Sequence, residues 1–186
     1  MQNIFIAVSS LLALISPLVY AKAILKGQAK PHRTTRLVLL IITALTTASL
    51  FAQHNTVAIW LAGASTLQSI IIFVLSIKRG MGGYAKVDIA CLLIALIGIM
   101  LWQMTKNSVI ALYFAILADF TGMVPALIKT YKFPHTEIYA FYLIDVFSAL
   151  FSILAVQNWS ITELSYPLYI FVINLLMVAI ILTSRR

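Results

Sequence analysis

A few polar residues buried in long apolar runs carry whatever chemistry this chain can perform. Asp119 lies near the middle of the run Val109–Ile128, with no basic residue in that span. An ionisable group in hydrocarbon is costly unless it faces a polar interior, which makes Asp119 the leading functional candidate. Gly122 and Pro125 follow at steps of three, so carboxylate, small residue and proline share one side of a helix. Asp145 lies in the run Ile138–Val156, with Ser148 and Ser152 completing a polar stripe; Thr43, Thr46 and Thr47 form the comparable stripe in the second run. Asn174 and Gln68 sit near mid-span in the seventh and third runs, where a carboxamide offers donors and acceptors to a polyol or similar solute. Such side chains also bond neighbouring helices, for about 0.6–2 kcal/mol, so binding and packing compete as roles for each. Asp88, just after Lys86 at the start of a run, reads as an interfacial charge paired in water.

These groups point to binding rather than catalysis. The chain shows no Ser/His/Asp set and no phosphate-cradling glycine loop. His32, His54 and His135 lie far apart without Cys or His partners at metal spacing, and Cys91 is the single cysteine. No enzyme activity, metal or cofactor is expected.

The elements that must position these residues are membrane helices. Of 186 residues, 62% are hydrophobic and 10% charged, and the mean hydropathy is +1.04. An ordinary soluble domain is about 45–50% apolar and about 25% charged. Seven apolar runs can be marked: Ile4–Tyr20, Leu37–Ala52, Val57–Ile77, Val87–Met104, Val109–Ile128, Ile138–Val156 and Leu164–Thr183. Each is near the length an α-helix needs to cross a hydrocarbon core of about 30 Å. Backbone in lipid must satisfy its own hydrogen bonds, so the fold class is an all-α integral membrane protein with seven transmembrane helices.

The net charge of +8 implies topology rather than nucleic acid. Lys22, Lys26, Lys30, Arg33 and Arg36 are assigned to the first linker, Lys78, Arg79 and Lys86 to the third, Lys129 and Lys132 to the fifth, and Arg185 and Arg186 to the C-terminus. Lys106 alone falls in an even-numbered linker, so the positive-inside rule puts the N-terminus outside and the C-terminus in the cytoplasm. Trp60, Trp102 and Trp159 all fall at the outer ends this assigns, where indoles prefer the interface. Asn158-Trp159-Ser160 then fits a glycosylation acceptor in an outer loop. Ala21-Lys22-Ala23 faintly resembles a signal cleavage site, but Met1-Gln2-Asn3 lacks a positive n-region, so the first run is expected to be retained.

The chain aligns with itself. Pro17 falls on Pro125 at an offset of 108, while Arg79 on Arg185 and Gln68 on Asn174 share an offset of 106. Runs one to three thus match five to seven, with the fourth left as a connector, which gives two parallel three-helix bundles joined by a linker helix. The expected divisions are 1-79, 80-107 and 108-186. Gly80-Met81-Gly82-Gly83 reads as a flexible joint before the connector. Pro17 and Pro125 each remove a backbone hydrogen bond and mark hinge points.

Three plus one plus three helices, with a proline near the cytoplasmic end of the first helix in each half, resembles the PQ-loop and SWEET-like transporters. The stretch Lys129-Thr130-Tyr131-Lys132-Phe133-Pro134-His135-Thr136-Glu137 carries the closest likeness to their loop. Ala126 and Leu18 stand where that family often has glutamine after the proline, and no glycine follows Glu137. A vitamin-uptake family of similar topology is a neighbouring likeness. The resemblance implies a secondary transporter or facilitator moving a small polar solute, such as a sugar, amino acid or vitamin-like molecule, by alternating access about the proline hinges. In SWEET-like transporters an asparagine in the third helix of each half helps to bind substrate, which supports Asn174 and leaves Gln68 as a replacement. The competing expectation is a non-transporting receptor or partner-binding subunit whose basic loops dock a cytoplasmic partner or acidic headgroups. A retinal protein is excluded, because Leu164–Thr183 contains no lysine for a Schiff base. The expected setting is the bilayer of a plasma membrane, the bacterial inner membrane by economy of loops, with a homo-oligomer left open.

Overall fold

The computed structural model describes residues 2–52, 58–105, 108–156 and 161–184. They form seven α-helices: α1 Gln2–Leu25, α2 Arg33–Ala52, α3 Ala58–Arg79, α4 Lys86–Met104, α5 Ser108–Lys132, α6 Tyr139–Ala155 and α7 Ile161–Ser184. A 3-10 turn, Pro134–Thr136, lies between α5 and α6. Among the described residues, Gln2–Leu25, Lys86–Met104, Tyr113–Lys132 and Leu164–Ser184 are long and apolar enough to cross a membrane, while α6 is apolar but shorter. The side chains of Trp60, Thr46 and Glu163, and all of His54 and Asn158 to Ser160, lie outside the described residues.

Polarity is distributed as a bundle in lipid requires. Large apolar side chains are exposed on α1 and on α3 to α7, for example Ile4, Leu11 and Leu18 on α1 and Ile89, Leu93 and Ile97 on α4. Buried positions hold Ser16, Thr35, Ser76, Asp119, Lys129, Glu137 and Asn174. A soluble protein would not expose apolar surface so extensively. Where helices approach closely the contacting residues are small, as membrane packing favours. On α4, Cys91, Ala95 and Gly98 are buried, and a Cβ added to Gly98 would meet Ala118 of α5 at 3.3 Å.

Within the first half α3 packs against both α1 and α2, and within the second α7 packs against both α5 and α6. Between the halves α1 packs on α6 and α2 on α5, while α4 lies on α5 and α2. Exchanging α1 with α5, α2 with α6 and α3 with α7 maps the neighbours of these six helices onto themselves.

The helices run further than the apolar runs. α1 continues eight residues past Pro17 and α5 seven past Pro125, so both prolines sit inside continuous helices. Lys22, Lys129 and Lys132 therefore end helices, and Arg33 and Arg36 begin one, instead of lying in linkers.

The three basic connections meet at one end of the bundle. Lys30 N–H donates to Thr136 O at 2.8 Å, and His32 bridges to Met81 through Met81 N–H on Pro31 O at 3.0 Å and Arg33 N–H on Met81 O at 3.2 Å. Arg79 donates to the carbonyls of Ile24 and Leu25, satisfying the end of α1. Asp88 is not a solvated interfacial charge: it is buried, accepts from Gly83 N–H at 2.8 Å and Ala85 N–H at 3.1 Å, and lies 3.4 Å from His32 Nε2. Nor do the glycines before α4 act as a loose joint. Gly82 has φ 73°, and a Cβ there would fall 2.2 Å from His32 Nε2, so glycine is needed for close packing of the segment.

Two predictions follow from this packing. A Cβ on Gly122 of α5 would lie 2.6 Å from Val38 Cγ1 of α2. Gly122→Ala should therefore destabilise by about 1–3 kcal/mol in thermal unfolding in detergent, and Val38→Ala in the same chain should recover part of the loss. His32 is held below its ordinary value of 6.5 by burial, against the opposing pull of Asp88. Its folded form resists protonation, so its contribution is present above that value and is lost as pH falls through the lower folded value. The melting temperature should fall less between pH 7.5 and 5 in His32→Gln than in the wild type; equal slopes would contradict this.

Candidate functional site

A cavity of about 400 Å³ lies in the interior of the bundle. Its described lining comes from α1, α2, α5, α6 and α7. Asp119 reaches it from α5, Asp145 from α6 and Asn174 from α7, so three of the four solute-binding candidates converge. Gln68, half-buried on α3, is not among the described lining residues, and α3 packs against α1 and α2. The expectation that α3 contributes as α7 does therefore finds no counterpart among them.

Each carboxylate is held by a neutral hydroxyl from another helix. Tyr169 of α7 donates to Asp119 Oδ2, and Ser16 of α1 donates to Asp145 Oδ1 at 2.5 Å. Such donors satisfy a lone pair without supplying charge. The carboxamide of Asn174 donates to Ile170 O of its own helix at 2.8 Å, a packing bond that does not use its oxygen. Ser148 and Ser9 exchange bonds between α6 and α1, each hydroxyl donating to the other's carbonyl at 2.9 Å. Thr43 and Ser152 also line the space, whereas Thr47 pairs with Thr66 at 2.9 Å between α2 and α3.

Arg36 is the largest departure from expectation. Assigned above to a charged linker, it instead lies one turn into α2 and lines the cavity. Its guanidinium sits 4.5 Å from the ring centroid of Tyr20 and 5.5 Å from that of Phe141, within cation–π range of both. Its Nε is buried without a hydrogen-bond partner. A planar guanidinium over two rings keeps its charge while its edge stays available.

Aromatic rings and an ion pair stand at the basic end of the cavity. Phe141 and Tyr142 line it, and Tyr20 stacks on Phe141 at 4.3 Å. The Tyr20 hydroxyl donates to Glu137 Oε2 at 2.8 Å, and Lys129 Nζ lies 2.5 Å from Glu137 Oε1. Lys129 also donates to Lys30 O at 2.7 Å and Thr136 O at 3.4 Å. Lys129 is 5% exposed and Glu137 1%, so neither acts as a surface topology charge. An aromatic layer followed by an ion pair thus separates the cavity from the basic connections. Away from this floor the lining continues through Ser9, Ser152 and Tyr166 toward the opposite end of the helices.

Pro125, fully buried, lies one turn before Lys129, and half-buried Pro17 directly follows Ser16, the donor to Asp145. Sequence patterning missed Arg36, Tyr166, Tyr169 and Glu137. A tyrosine in an apolar run gives no distinct signal, and an arginine near a run's end resembles a loop charge. Among the described residues, no group of three His, Cys, Asp or Glu is placed to hold a metal ion. Comparison with family models, curated proteins and solved structures finds no match.

Removing one partner of a buried pair leaves an uncompensated charge, at a cost of about 3–5 kcal/mol. Lys129→Met should lower unfolding stability in detergent by that order, and the double variant Lys129→Met with Glu137→Gln should recover much of it. Equal losses in single and double variants would show that the pair is not coupled.

Proposed function

We propose that the chain is a secondary transporter or facilitator for a small polar solute, spanning the membrane seven times. In this reading the basic end is cytoplasmic, the N-terminus is outside, and the membrane is a plasma membrane, the bacterial inner membrane by the economy of the loops. The observation that carries the reading is the cavity of about 400 Å³, which gathers two carboxylates, an arginine and a carboxamide inside a lipid-facing bundle. Intramembrane polar groups of this kind mark solute or ion pathways.

The exchange relation among helix neighbours supports two three-helix units, 1-79 and 108-186, joined by 80-107. A site at the interface of such units can be exposed alternately to either side as one unit rocks against the other. Pro17 and Pro125 would serve as hinges: each lies in the first helix of its unit, between the cavity and the basic end. The arrangement also suits the likeness to PQ-loop and SWEET-like transporters drawn from Lys129 to Glu137. The receptor reading is weaker, since two of the cations it would offer to a cytoplasmic partner, Arg36 and Lys129, are engaged inside the bundle.

In proteoliposomes, Asp119→Asn and Asn174→Ala should each reduce uptake of a transported solute about tenfold or more, the effect of losing about 1.4 kcal/mol or more of binding. Gln68→Ala should stay close to wild type. If neither Asp119→Asn nor Asn174→Ala altered uptake of any transported solute, the assignment of these residues would be wrong.

A further inference from the structure

We propose that the solute is a small organic monocation and that it exchanges for a proton at the Asp119 and Asp145 cavity. The inference rests on the transport reading above and specifies its substrate class and coupling.

The chain has five acidic residues, and three of them, Asp119, Asp145 and Glu137, lie in the interior of the bundle around the cavity and its floor. Asp88 is held apart beside His32, and the side chain of Glu163 is outside the described residues. Two cations answer the three carboxylates. Lys129 is committed to Glu137 at 2.5 Å, below the aromatic floor. Arg36 is the remaining described cation that lines the cavity with Asp119 and Asp145, so among the described residues one negative charge is in excess. An uncompensated charge in this setting is strongly unfavourable, so the cavity needs one positive charge, from a proton or from a bound cation.

Among the described residues the surroundings supply no third source. From α7 come Tyr166 and Tyr169, from α1 Ser16 and Tyr20, and from α6 Tyr142. α4, which packs on α5, carries its titratable groups, Lys86, Asp88 and Cys91, within its first two turns at the basic end. α3 carries Lys78 and Arg79 in its last turn, where Arg79 bonds the end of α1. A neutral polyol or a zwitterion leaves the proton in place and so drives no exchange. An anion increases the excess charge. A monocation removes it, and the aromatic rings of Tyr142 and Tyr166 suit a cationic head. The unpartnered, buried Nε of Arg36 adds a second requirement: a neutral acceptor on the solute, such as a hydroxyl, is favoured.

The exchange balances. In the empty cavity one of the two carboxylates carries a proton. When a monocation enters, that proton leaves to the water on the side from which the cation came. When the cation departs on the other side, a proton from that side replaces it. One cation crosses for one proton in the opposite direction, with no net charge moved.

The test uses the full-length protein in proteoliposomes with two permanent monocations, choline and guanidinium, beside the neutral solutes sorbitol and alanine. An acidic lumen should raise choline or guanidinium uptake several-fold over a matched-pH control, and an imposed membrane potential should not change the rate. Asp119→Asn and Asp145→Asn, each checked for folding by size exclusion and thermal melting, should lose the response to the pH gradient. Independently of reconstitution, adding the transported cation to detergent-solubilised protein in weak buffer should release about one proton per site, as linked binding requires. Uptake of sorbitol or alanine without either cation would overturn the substrate class while leaving a transporter. Cation uptake insensitive to the pH gradient, or binding without proton release, would overturn the exchange. Flux of none of the four would overturn the substrate class, while the transport reading is decided by the Asp119→Asn and Asn174→Ala uptake test.

Discussion

The pairing of Lys129 with Glu137 organises the basic end of the molecule. A lysine and a glutamate buried together are stable only when their remaining donors and acceptors are also satisfied. Here Lys129 donates to the carbonyls of Lys30 and Thr136, and Glu137 accepts from Tyr20. One pair thus ties α5, α1, the connection before α2 and the turn before α6 to a single point. The aromatic layer of Tyr20, Phe141 and Tyr142 rests on it, and Arg36 rests on that layer. The cavity floor is therefore built from the ion pair upward.

Above this floor the bundle behaves as a protein whose solvent is apolar. Packing between helices relies on small residues and complementary shape, as at Gly122 against Val38 and Gly98 against Ala118. Hydroxyl pairs such as Ser9 with Ser148 fasten α1 to α6 where the two halves meet. Asp119 and Asp145 line the cavity while each keeps one hydroxyl partner on a neighbouring helix, Tyr169 and Ser16. A binding site and a structural solution to buried polarity are here the same arrangement.

Much of this was legible in the chain alone, for identifiable reasons. Asp119, Asp145 and Asn174 stand out because polar groups inside apolar runs have few alternatives to an interior position. The helical class and most helix positions follow from run length and from backbone hydrogen bonding in lipid. Arg36 and Lys129 were hidden because a cation near the end of a run looks the same whether it points to water or back into the bundle; only the neighbouring helices decide. Gln68 was paired with Asn174 by self-alignment, but no described α3 residue lines the cavity, so equivalent positions need not meet equivalent surroundings. The glycines before α4 suggested looseness by composition, while the close approach of His32 explains why that segment is glycine-rich.

The central claim is a cavity closed toward the basic end by the aromatic layer and the ion pair. Its most direct measurement is side-specific labelling of Ser152→Cys, in a chain with Cys91→Ser, by a membrane-impermeant maleimide applied to sealed vesicles of each orientation. Ser152 lines the cavity on the side away from the floor. The account predicts labelling of the solute-free protein from the side opposite the basic connections and little from the basic side. Faster labelling from the basic side, or none from either, would contradict it.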